Sequence, residues 1–247
     1  MTTRVVETAC LLLIGNELLS GKTREANLHP LATTLRALGI QLRRTIVVPD
    51  ELENVAETLV QAKSEYDLVI TSGGVGPTHD DVTIDAVAKA FGVSAVPEPR
   101  LEALLRRVYA DKLTDSHLRM ARVPEGAQLE ISDEVTWPTI VVGNVWVLPG
   151  VPELFKAKLV ALRLSVRGPT TFHTRAAYTK LDEGNLKPML DQVVEKHPDV
   201  EVGSYPKWFD PSYATKITLD SSSSGAVDAA LETLLALLPV GEPQRVE

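Results

Sequence analysis

The amino-acid sequence predicts an α/β protein with a three-layer core built on a parallel or mixed sheet, followed by a small α+β domain. Three observations carry this. Short apolar runs alternate with helical segments through the first half of the chain. The third such run passes directly into a glycine-rich turn, Gly73 to Gly76. Beyond Arg167-Gly-Pro169 the alternation is replaced by a different order of elements. The expected division is therefore 1–167 and 168–247.

The elements follow in order. Thr8 to Ile14 is a continuous apolar run of strand length, as expected of a strand buried on both faces. Asn27 to Leu38 has helical spacing, with Leu28, Leu31, Leu35 and Leu38 on one side and Gly39 as a stop. Gln41 to Val48 returns to strand character. Asp50-Glu-Leu-Glu53 resembles a capping box opening a helix towards Ser64. Leu68 to Thr71 is the next buried strand, and Asp81 to Phe91 the next helix, capped by Asp80 or Asp81 and closed by Gly92. This β-α-β-α-β-α order calls for right-handed crossovers. Leu101 to Ala110 is an amphipathic outlying helix. Ile140 to Leu148 splits at Gly143-Asn144 into a tight hairpin, and Pro152 opens a helix to about Leu164. In the second domain, strands are expected at Phe172 to Lys180, Val200 to Ser204 and Tyr213 to Asp220. Helices are expected at Glu183 to Lys196 and Gly225 to Leu238. The polar Ser221 to Ser224 is a connector, and the tail from Gly241 is expected to be loose.

Composition narrows the function. The chain has 247 residues, 44% hydrophobic and 23% charged, which is ordinary for a globular protein. A formal net charge of -8 argues against nucleic acid as a partner, but leaves room for a local phosphate site. No run is apolar over the length a bilayer requires, so no membrane role is expected and a cytoplasmic location is. The single cysteine, Cys10, sits among apolar neighbours and offers neither a disulfide framework nor a zinc cluster. His29, His117, His173 and His197 lack metal-ligand spacing and read as surface or structural residues. Neither a Gly-x-Ser-x-Gly elbow nor a Walker A motif is found.

The chemistry concentrates at strand ends. Ser72, Gly73, Gly74, Val75, Gly76 and Thr78 form a turn whose glycines permit close backbone approach and whose amides suit an anion. A lone Gly-Gly-x-Gly would be a plain tight turn. Thr78, His79, Asp80 and Asp81 add to it. Adjacent carboxylates beside a phosphate site make sense with a divalent cation between them, although one of the pair could serve as a helix cap. Gly15, Asn16 and Glu17 follow the first strand and would lie at the same sheet edge. Asp50 ends the second strand. Pro149, Gly150, Pro152 and Glu153 form a fourth strand-to-helix turn, which could equally be a simple proline-bounded bend. Tyr205, Trp208 and Phe209 cluster among prolines and could stack on a ring, make a dimer contact or pack locally.

In order, Ile14-Gly-Asn-Glu-Leu-Leu-Ser-Gly21, Val48-Pro-Asp50, Thr71 to Thr83 and Leu148-Pro-Gly-Val-Pro-Glu153 resemble the motifs of MogA/MoaB-type molybdopterin-binding domains. The subgroup resembled is that at the N-terminus of CinA proteins and, more closely, the N-terminal half of animal FAD synthases. The likeness continues through Gly203-Ser-Tyr-Pro206 and Lys216 to Asp220. It implies the MogA-like fold. It also implies that Asp50 and Asp81 serve a pterin-phosphate site, and that Asn27 joins the substrate-binding set.

For the subgroup, the resemblance implies metal-dependent cleavage of FAD or a related pyrophosphate such as ADP-ribose. Cobalt or magnesium is expected, with potassium in addition. On this reading Asp50, Asp80 and Asp81 are catalytic, and Glu17, Asp80 and Asp81 hold the metal. The alternatives are a non-catalytic molybdopterin- or nucleotide-binding module and, against the subgroup motifs, molybdenum-cofactor adenylyl transfer. Neither a CinA-type deamidase domain nor an adenylyl-transferring domain is recognised in these residues, so a stand-alone hydrolase-type domain is expected. The resemblance further implies a homodimer or homotrimer.

Overall fold

The computed structural model describes residues 3–132, 135–208 and 211–247. The chain forms two compact units, Met1–Pro169 and Thr170–Glu247. In the first, the elements run β1 (Arg4–Val5), β2 (Thr8–Ile14), α1 (Asn16–Leu19), α2 (Leu28–Ala37), β3 (Gln41–Val48), α3 (Leu52–Glu65), β4 (Leu68–Ser72), α4 (Thr83–Phe91) and β5 (Ala95–Pro97). They continue through α5 (Pro99–Tyr109), α6 (Asp115–Arg119), β6 (Arg122–Pro124), β7 (Gln128–Ser132), β8 (Val135–Val142), β9 (Val145–Leu148), α7 (Pro152–Ser165) and β10 (Val166–Arg167).

The central sheet has the order β3-β2-β4-β9-β8-β7. Its first four strands are parallel, and β8 and β7 add an antiparallel edge. The sheet is therefore mixed. Strand β2 shows why three layers form. Cys10, Leu12 and Ile14 pack with Val55, Leu59, Val87 and Leu101 from α3, α4 and α5. The alternate residues Ala9, Leu11 and Leu13 pack with Leu31, Leu35, Phe155 and Leu159 from α2 and α7 on the other face. The β8–β9 turn is the expected hairpin, with Gly143 at φ +57°. Asn144 does more than turn the chain, since its Nδ2 donates to the carbonyls of Lys63 and Tyr66 and ties down the end of α3. Burial raises the Cys10 thiol to about 11 and keeps it inert.

The second unit runs β11 (His173–Thr179), α8 (Glu183–Lys196), β12 (Glu201–Pro206), β13 (Thr215–Ser221), α9 (Ser224–Leu237) and β14 (Arg245–Val246). Its sheet has the order β12-β13-β11-β14 and is antiparallel throughout. Ala177, Ile217 and Leu219 face Leu186, Val193, Val227 and Leu234 of the two helices.

The structure corrects two sequence expectations here. The tail from Gly241 is not loose. Val246 and Arg245 pair with Ala177 and Tyr178, Ala176 and Glu247 exchange backbone hydrogen bonds, and Glu247 accepts from the Tyr178 hydroxyl. Second, Asp50 to Glu53 is not a capping box, because the N-cap of α3 is Glu51 and makes no side-chain cap. Among the described residues no helix is long and apolar enough to cross a membrane.

Candidate functional site

The parallel strands bring their C-terminal ends to one edge of the sheet. Leu13 is opposite Ser72, and Ser72 is opposite Leu148. The turns after β2, β4 and β9 therefore leave the sheet side by side, where open α/β folds place ligands. They touch closely. Gly73 has φ +107°, and a methyl group added there would lie 2.2 Å from the Ile14 carbonyl oxygen. One at Gly150 would lie 3.3 Å from the Gly73 Cα. The glycines thus answer a packing need before any ligand is considered.

Buried side chains fix this contact. The Asn27 amide donates to Ser72 Oγ at 2.9 Å and to the Gly150 carbonyl at 2.9 Å. Asn27 Oδ1 is buried and has no hydrogen-bond partner among the described residues. Thr83 Oγ1 donates to the Gly73 carbonyl at 2.8 Å. Asn27 and Ser72, expected to touch substrate, serve here as struts between turns.

Asp80 and Asp81 do different things. Asp81 turns back into the loop and accepts from the amides of Gly76 and Thr78, both at 2.7 Å, and from the Thr78 hydroxyl. Neither aspartate caps α4, whose N-cap is Val82 with no side-chain cap. That expectation is corrected, because the carboxylate satisfies loop amides instead. Gly73 N–H is also engaged, by the Leu148 carbonyl. Asp80 points outward, and the Thr78 hydroxyl at 2.5 Å holds its carboxyl below the usual range. His79 stands almost wholly in solvent beside it.

Asp80 borders an open depression of about 570 Å³ with Asn16, Glu17, Lys22 and Asp50. Asp50 accepts the Asn16 amide at 2.7 Å, so it holds the turn after β2 and the start of α1 rather than the start of α3. Glu17 folds over Gly15, where an added methyl would meet its Oε1 at 2.4 Å. Gly15, Asn16, Glu17, Asp50 and Asp80 are thus brought together. Asp81 lies off this depression, on the far side of the loop. Pro152 and Glu153 open α7, with Glu153 exposed in its first turn. Among the described residues no three acidic, histidine or cysteine side chains form a ready metal cluster.

On the Asp81 side lies a second, apolar cavity of about 500 Å³ between α5, β8 and α7. It includes Lys158, which sequence reasoning missed. Lys158 follows Phe155 by three residues and so sits on the buried stripe of α7, a placement that could have flagged it. Glu25 was also missed. It accepts from the amides of Asn27 and Leu28 and starts α2.

Other expectations fall elsewhere. His117 stacks on Tyr109 and completes the cap of α6, and His197 bonds Thr233. Tyr205 and Trp208 are exposed in the second unit, while Phe209 lies outside the described residues.

Residues 10–165 match the family described as "Probable molybdopterin binding domain", and residues 171–247 match "FAD synthase, middle domain". A probable FAD synthase of Caenorhabditis briggsae is 31% identical over 94% of this chain, which spans about half the length of that relative. A protein of Pyrobaculum calidifontis is 34% identical, covering 94% of this chain and 95% of its own. Among solved structures, the CinA protein of Thermoplasma acidophilum, whose function is given as unknown, superposes with a TM-score of 0.59 at 34% identity. That match covers 64% of this chain and 97% of that one. The chain belongs to the family of probable molybdopterin binding domains, and the segment behind that domain is similar to the middle domain of FAD synthase.

Proposed function

We propose that the chain hydrolyses the pyrophosphate of FAD or a related compound such as ADP-ribose. The observation that carries this reading is the convergence of Glu17, Asp50 and Asp80 on one open depression beside the glycine loop. The donor set is hard oxygen, and few ligands come from the protein. That suits a divalent cation held jointly with substrate phosphates, as magnesium commonly is, or cobalt in its place; potassium would be an additional ion. Glu17 and Asp80 would hold it, with Asp50 keeping the turn around Asn16 in register. When bound, such an ion polarises phosphoryl oxygens and offsets the repulsion between an acidic rim and an anionic substrate. The glycine turn and Gly150 would position the pyrophosphate, and Asp81 would preserve the shape of the loop. Water adds to one phosphorus as the bridging P–O bond breaks, so FAD and water give FMN and AMP, with protons released.

The test is incubation of the purified chain with FAD or ADP-ribose, with cobalt, magnesium or chelator, followed by separation of the monophosphates. Metal-dependent FMN and AMP, or AMP and ribose phosphate, are expected. Tight binding without cleavage would favour the second reading, a molybdopterin- or nucleotide-binding module. One observation favours that module: Asp81, expected to be catalytic, already has its oxygens on Gly76 and Thr78. Assembly as a homodimer or homotrimer belongs to the same proposal and is read by light scattering.

A further inference from the structure

Lys158 is an amine on the buried side of α7, only 5% exposed. Its Nζ donates to the Trp137 carbonyl at 2.6 Å and to Thr139 Oγ1 at 3.3 Å. Among the described residues no carboxylate pairs with it, and burial alone pulls its pKa down to about 8. The geometry distinguishes its two protonation states. An ammonium has three N–H groups and finds two acceptors here, so the third is left among apolar side chains. A neutral amine has two N–H groups, and both are matched. The position that remains on its tetrahedral nitrogen is a lone pair. Lys158 is also part of the wall of the apolar cavity, with Leu105, Tyr109 and Val147. The exposed Leu154 stands on the rim, and Asp81 lies at the glycine-loop end.

A lone pair can take a metal, a hydrogen-bond donor or an electrophilic carbon. A metal needs further ligands, and among the described residues no cluster of acidic, histidine or cysteine side chains supplies them. A hydroxyl would gain one hydrogen bond that water offers equally well. A carbonyl carbon gains a covalent bond, and desolvation without a carboxylate partner is how a lysine becomes a nucleophile. A charged carbonyl compound would lose its hydration against apolar walls, and an anion would also face Asp81. We infer that Lys158 is a covalent capture site for an uncharged aldehyde carried on an apolar or aromatic body. The lone pair adds to the carbonyl carbon. One N–H proton and one proton from solvent then leave with the carbonyl oxygen as water. The product is an iminium, whose remaining N–H stays on the Trp137 carbonyl. The site stands apart from the proposed hydrolysis.

The experiment treats the full chain with benzaldehyde and cyanoborohydride at about pH 7.5, and reads N-benzylation of each lysine by peptide mass spectrometry. Hydride from the reagent reduces the iminium to a stable secondary amine. Lys156, exposed on the same helix, is the internal comparison. At that pH about a quarter of a group titrating near 8 is neutral, against about 0.1% of an ordinary lysine. Initial labelling at least about 10-fold faster at Lys158 than at Lys156 is therefore expected, even with entry confined to the cavity. The preference should vanish when the chain is unfolded in urea. It should fall with glyoxylate, whose carboxylate the cavity disfavours. Leu154→Trp, shown by its melt to be folded, should slow Lys158 and leave Lys156 unchanged. Labelling of Lys158 no faster than Lys156, a preference that persists in urea, or an equal preference with glyoxylate overturns the inference. Neither FAD nor a metal enters the measurement, so its failure and that of the hydrolysis test are separate.

Discussion

Two neighbouring aspartates illustrate how far residue type falls short of residue role. Asp80 faces the open depression and Asp81 faces its own loop. Their alanine variants should therefore part company. Asp80→Ala should leave the melting temperature unchanged and lower metal-dependent turnover by at least about 100-fold, the scale of removing one electrostatic group from a reaction centre. Asp81→Ala should also lose turnover. It leaves two loop amides without their acceptor, however, and should cost about 2 kcal/mol of stability. Melts and initial rates on both variants check this. Equal stability in the two would remove Asp81 from the scaffold role. Gly73→Ala is a sharper test of the sheet edge. A Cβ there meets the Ile14 backbone at a φ that L-residues avoid, so destabilisation of about 3 kcal/mol or more is expected by denaturant unfolding. The glycines, Asn16, Glu17 and Asp50 could be singled out from sequence because strand ends converge in any parallel sheet. The direction each carboxylate faces could not, since it depends on which amides the folded turn leaves open. Lys158 is marked in the sequence only by its place on the stripe of Phe155; that its amine stays inside is decided by Trp137 and Thr139 of β8, which accept from it.

At the scale of elements, the buried strands and the helices that cover them were legible because runs such as Thr8 to Ile14 must be covered on both faces. What escaped was short or paired only at long range. The strand β7 has few residues and acquires its meaning from β8. The terminal strand β14 has two residues and depends on a partner almost seventy positions away. Deleting residues 244–247 tests its worth. It removes the hydrogen bonds from Gln244 and Glu247 to Tyr178 and Ala176. A loss of roughly 2 kcal/mol is expected, or about 8 °C or more for a unit of this size, read as a lower melting temperature of the second unit. Asp67, just before β4, accepts from the amides of Glu7 and Thr8 and from the Thr8 hydroxyl. These bonds hold its pKa below the usual carboxylate value. A depressed folded-state pKa contributes stability above the unfolded value near 4, lost as pH falls through the folded value. Asp67→Asn should accordingly flatten the acid side of the melting-temperature profile and leave turnover near pH 7 unaffected.

For the whole molecule, the question is which unit carries the chemistry. The two hydrophobic clusters of the first unit use residues from Val6 to Val166 alone, and that of the second runs from Ala177 to Leu238. Each core is closed within its own segment, which is the condition for a segment to fold by itself. Every residue placed at the depression, the glycine loop or the apolar cavity falls between Gly15 and Lys158. Fragments 1–169 and 170–247, expressed separately, should then each melt in one cooperative transition. The first should cleave FAD at a rate comparable to that of the full chain. The second should not. A folded 1–169 fragment that has lost FAD cleavage, where the full chain retains it, would overturn the assignment of the chemistry to the first unit.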